Sequence, residues 1–73
     1  MNHNNIEEDK MTQKELSYLE DAIGHETTII SICEDACNNL QDENLISFMN
    51  SQIQDHMSMK EKLMNLLEEK ANE

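Results

Sequence analysis

Between Leu16 and Leu40, apolar residues return at alternating steps of three and four: Leu16, Leu19, Ile23, Ile30, Cys33, Cys37 and Leu40, with a carboxylate, Glu26, in the one remaining place. An α-helix gathers such positions on one face, so the rhythm predicts a long helix with an apolar seam. After a short polar break the rhythm resumes with Leu45, Met49, Gln52, His56, Met59, Leu63 and Leu66. No proline interrupts either run. Short connections place successive helices side by side and antiparallel, so the expected fold class is all-α, a helical hairpin.

Local signals set the boundaries. Thr12 and Glu15 have capping-box spacing, which starts the first helix at about residue 13. The connection is expected within Asn38–Asn44, where two asparagines tolerate the left-handed backbone of a helix end and Asp42 can cap the next helix. The helices are therefore expected at about 13–39 and 43–69, inside one hairpin domain over 12–70. Residues 1–11 are polar and without period, as in a flexible arm. Counted from the turn near Asp42, Glu26 lies about 16 residues back and His56 about 14 forward, so at ~1.5 Å per residue they stand within one turn of the same level.

Two helices cannot enclose a core, because each has one neighbour to cover its stripe. Ala22, Ile29 and Ala36, one step before Ile23, Ile30 and Cys37, widen the stripe of the first helix. Ile46, Ile53 and Leu67 widen that of the second. Such breadth suits a bundle of more than two helices, completed by homodimerisation. Leu19, Ile23, Ile30, Met49, Ile53 and Leu63 are the expected interface residues. The methionines of the second helix read as adaptable core filling. Gly24 reads either as a tolerated exposed glycine or as a point of close backbone approach beside Glu26.

Sixteen acidic residues against five basic ones give a net charge of -11, which would repel nucleic acid and anionic membrane surfaces alike. No apolar run approaches the ~20 residues of a membrane span, and the first residues lack the pattern of a signal peptide. A cytoplasmic location is expected. Cys33 and Cys37, one helical turn apart, are poorly placed to bridge each other and read as free, buried thiols. His25 points about 100° away from Glu26; it and His3 read as surface histidines. Tyr18 and Phe48 are too few for a stacking platform. With no glycine-rich phosphate loop and no serine beside a positioned base, no enzymatic site is expected.

The run Thr12-Gln13-Lys14-Glu15-Leu16, then Leu19-Glu20-Asp21, Glu26 and, after the turn, Gln54-Asp55-His56 resembles the coat protein F family of endospore-forming bacteria, over about Met11 to Leu67. That resemblance implies a ferritin-like hairpin equal to half of a four-helix bundle, in a spore-coat-type or spore-associated protein partnered by itself or by other coat proteins, and without catalytic activity. In ferritin-like di-metal bundles a Glu from one helix and a Glu-x-x-His pair from another bind metal. Glu26 and His56 fill two of those roles, but Ile53 stands where the second Glu belongs, leaving Asp55 or Gln52 as substitutes. Two readings follow: a buried Glu26–His56 pair that fixes register, or a divalent-metal site of Glu26, His56 and Asp55, which a symmetric dimer would double. A third alternative comes from Ser51-Gln52-Ile53-Gln54-Asp55, which resembles in part the motif of small helical-hairpin phosphatases acting on sporulation response regulators.

Overall fold

The computed structural model describes residues 11–71. Two helices, α1 (Gln13–Asn39) and α2 (Glu43–Ala71), pack against each other as an antiparallel hairpin, with no strand among the described residues. The arm expected over residues 1–11 lies outside the described residues except for Met11, which is half-buried beside the open end of the hairpin.

Each helix starts where its side chains supply bonds that the first turn lacks. Thr12 Oγ1 accepts from the Glu15 amide at 3.0 Å while Glu15 Oε1 accepts from the Thr12 amide at 3.0 Å, completing the capping box. Asp42 Oδ1 accepts from the Leu45 amide at 3.0 Å and caps α2. The end of α1 differs from expectation. No described residue has positive φ, and Asn38 and Asn39 belong to the helix. Leu40 leaves it in an extended conformation (φ -83°, ψ 148°), its amide donating to the Ala36 carbonyl at 2.8 Å, while Asn39 Nδ2 donates to the Asp35 carbonyl at 2.8 Å. The Asn39 amide side chain thus folds back onto its own helix, and the chain leaves through an extended Leu40 instead of a left-handed residue.

The α1 seam falls where its period puts it. Leu16, Leu19, Ile23, Glu26, Ile30, Cys33, Cys37 and Leu40 are all half-buried, as are Ala22, Ile29 and Ala36. On α2 the seam is turned by about one residue from the expected line. Met49, His56 and Leu63 keep their places, but the alternate positions are Ile46, Ile53, Lys60 and Leu67, whereas Leu45 (50%), Met59 (48%) and Leu66 (44%) are exposed. A stripe three residues wide satisfies either line, and the pairing with α1 selects between them. Lys60 stands in this seam as a half-buried chain whose aliphatic stem can cover apolar surface while its ammonium reaches water.

Among the described residues only Ile53, at 8% exposure, is buried. Each helix covers a single side of its neighbour, so every other seam residue keeps one edge in solvent. Gly24 has open space where a Cβ would stand, which excludes close backbone approach within the hairpin. Replacing Gly24 with Ala should therefore raise stability by about 0.5–1 kcal/mol through helix propensity, whereas Asp42→Ala should lower it by about 0.5–2 kcal/mol through loss of the cap. Urea denaturation at matched protein concentration, read by far-UV circular dichroism, checks both signs.

Candidate functional site

The central contact of the hairpin is polar. Glu26, in the middle of α1, and His56, in the middle of α2, are carried into the same layer by seam positions on opposite sides of the turn, and Glu26 Oε1 lies 2.6 Å from His56 Nδ1. The sequence count from Asp42 anticipated this level. At that distance Nδ1–H donates to the carboxylate, which holds the ring in one tautomer and leaves Nε2 for another partner. The side chains are 29% exposed at His56 and 16% at Glu26, so the pair is half-buried rather than sealed.

This contact marks the register of the hairpin, which agrees with the three-residue connection between Asn39 and Glu43. With antiparallel axes, each step up one helix is matched by a step down the other, so Ala36 lies level with Ile46 and Ala22 with Lys60. Cys37 agrees with that register: its thiol lies 3.9 Å from the Ile46 carbonyl and 3.6 Å from Asn50 Oδ1. Cys33 and Cys37 are both free thiols, half-buried near the turn rather than fully buried.

The third residue of the expected metal set is not brought to the pair. Asp55 is exposed and lies outside the seam that contains His56, and Gln52 is half-buried one turn earlier. Among the described residues no group of three or more His, Cys, Asp or Glu is placed to hold a metal ion. Among the described residues of one chain, the carboxylate and imidazole that meet are those of Glu26 and His56. His25 is exposed, as expected; His3 lies outside the described residues. Of the phosphatase-like run, Ser51 and Asp55 are exposed, and the Ser51 hydroxyl donates to the Phe48 carbonyl at 2.8 Å.

The structure also shows a surface that the seam count passed over. Eight large apolar residues are exposed, and six of them, Tyr18, Ile32, Leu45, Phe48, Met59 and Leu66, share one side of the hairpin. The reason is geometric. On antiparallel right-handed helices, residues one step before a seam position fall on the same side of the pair. Ala22, Ile29 and Ala36 on α1 and Leu45, Gln52, Met59 and Leu66 on α2 are such residues, and Tyr18, Ile32 and Phe48 lie just beyond them. The opposite side carries Glu20, Thr27 and Glu34 on α1, with Asn50, Met57 and Met64 on α2. The signal for this second stripe was present in the spacing of 18, 22, 25, 29, 32 and 36, which repeats the three-and-four rhythm beside the seam.

Comparison with known proteins adds no relative: no family model matches the chain, and neither a curated protein nor a solved structure aligns with it significantly. No described helix is long and apolar enough to cross a membrane.

The pair should behave as a coupled unit. Glu26→Ala and His56→Ala are each expected to cost about 1–3 kcal/mol, because each strands a half-buried partner, and replacing both with Leu should recover most of that loss. A double-mutant cycle by urea denaturation measures the coupling, and additive losses would show that the bond contributes nothing. For the thiols, Ellman's reagent should label native Cys33 and Cys37 more slowly than the urea-unfolded chain. Equal rates would put both sulfurs in open solvent.

Proposed function

We propose that this chain is a structural interaction module: a helical hairpin that self-associates into an antiparallel four-helix bundle and does no catalysis. The observation that carries this reading is the exposed apolar side, interrupted by Gln52, of a hairpin in which Ile53 alone, among the described residues, is buried. Two linked helices leave too little apolar area removed from water to offset the ordering of nearly sixty residues, and a second apolar surface laid over the exposed stripe supplies the deficit. Large exposed apolar patches on small proteins mark such contacts. The resemblance of the Thr12–Leu16, Leu19–Asp21 and Gln54–His56 segments to the coat protein F family supports a spore-coat-type or spore-associated setting for the assembly, with synthesis in the cytoplasm. Immunoblotting of purified spore layers from a spore-forming host expressing the protein tests that setting.

A second reading draws on the Glu26–His56 contact. Two copies related by a two-fold axis would supply two carboxylates and two imidazoles, a donor set suited to a divalent ion. Elemental analysis of protein purified without chelator or nickel, together with the melting temperature in EDTA, tests it: a metal-linked dimer contains stoichiometric metal and melts lower in chelator.

Self-association has a direct test. At micromolar concentration, sedimentation equilibrium should give twice the chain mass, and Phe48→Glu together with Leu45→Glu should shift the population to monomer with reduced helicity, since two charges would enter the apolar contact. A compact, fully helical monomer in the wild type would overturn the reading.

A further inference from the structure

The exposed side of the hairpin carries enough pattern to specify how a second copy lies on it, an inference that rests on the self-association just proposed. A two-fold dimer of hairpins has two arrangements. With the axis along the helices, both turns lie at one end and α1 of each copy faces α2 of the other. With the axis across the helices, the turns lie at opposite ends and like helices face each other.

Size comes first. On this side α1 presents Ala22, Ile29 and Ala36, and α2 presents Leu45, Gln52 and Met59. Through the register marked by Glu26 and His56, Leu45 stands at the level of Ala36, Gln52 at that of Ile29 and Met59 at that of Ala22. When α1 faces the partner's α2 at matched levels, large side chains therefore meet alanines at both ends of the contact. Facing like helices at full overlap also sets an alanine against a large side chain, Ala22 beside the partner's Ile29, so size permits both arrangements.

Charge separates the two arrangements. Along the outer edge of α2 run Asp55, Lys62 and Glu69, and along the outer edge of α1 run His25, Asp21 and Lys14, all exposed. At matched levels, Asp55 comes beside the partner's His25, Lys62 beside the partner's Asp21, and Glu69 beside the partner's Lys14. Two layers pair opposite charges, the third sets an imidazole beside a carboxylate it can hydrogen-bond, and the two-fold repeats each. Laying like helices over one another at full overlap instead brings Asp55 beside the partner's Met59 and Lys62 beside the partner's Gln52, so neither charge meets an opposite one. In a chain with net charge -11, local pairing of this kind selects orientation more than it adds affinity.

We infer that the exposed side formed by α1 and α2 is a self-docking surface on which two hairpins pack with their turns at the same end, α1 against the partner's α2, registered by the Asp55–His25, Lys62–Asp21 and Glu69–Lys14 layers. Within one hairpin, Lys62 and Asp21 lie on outer edges of different helices that face away from each other, so contact between them reports assembly.

The test uses the unmodified chain. Equal amounts of unlabelled and ¹⁵N-labelled protein are unfolded together, refolded, treated with a water-soluble carbodiimide that joins lysine amines to neighbouring carboxylates, digested and analysed by mass spectrometry. The expected products are mixed-isotope peptides joining Lys62 to Asp21 and Lys14 to Glu69. Mixed-isotope products joining α2 to α2 would overturn the orientation while leaving self-association intact. So would a dimer by sedimentation that yields neither expected product. A wild-type chain that sediments as a monomer would overturn both the orientation and the self-association beneath it.

Discussion

The levels of this hairpin are read from the Glu26–His56 contact, because there a polar side chain of α1 meets a polar side chain of α2 inside the seam. Two antiparallel helices with apolar stripes can slide by a heptad and lose little, since leucines, isoleucines and methionines substitute for one another at each level. A 2.6 Å bond between a carboxylate and an imidazole has no such degeneracy. Sliding by one heptad in either direction would strain the three-residue connection and leave both groups half-buried and unpaired, at about 1–3 kcal/mol each. The levels of Cys37 against Ile46 and of Ala36 against Leu45 agree with the register that the pair marks.

The price of so simple an architecture is an incomplete core. Each seam residue of a two-helix hairpin is covered from one direction, and the burial pattern shows this in the half-buried state of nearly every seam position beside a single buried Ile53. The apolar side that runs from Tyr18 and Ile32 on α1 to Phe48 and Leu66 on α2 is the geometric consequence of stripes three residues wide on helices that can share only part of that width. The proposed self-association would cover this shortage. In such a dimer stability and association would be one equilibrium, so variants of the seam and variants of the exposed side would report on the same folded population.

Much was legible before any coordinates, and the reasons are local. The capping boxes and caps at Thr12, Glu15 and Asp42 depend on groups within three residues of one another, so both helix starts followed from the sequence. The meeting of Glu26 with His56 followed from counting residues outward from the turn, which needs only a constant rise per residue. The end of α1 was less legible: asparagine at a helix terminus suits a left-handed backbone and also a side-chain bond to the i−4 carbonyl, and Asn39 adopts the second.

What the sequence by itself determined was the set of positions that can lie on one face of each helix, along with the levels at which the two helices match, because periodicity and rise are properties of a single helix. Tertiary structure alone decided which edge of each wide stripe turns inward. On α2 it chose Ile46, Ile53 and Leu67 over Leu45, Met59 and Leu66, since rotation about the helix axis is fixed by contact with the neighbour. That same rotation set Asp55 outside the seam of His56 and gathered Leu45, Phe48, Met59 and Leu66 onto the open side. The hydrophobic period does not encode the direction of the neighbouring helix, and so the exposed apolar side emerges only once the helices are paired.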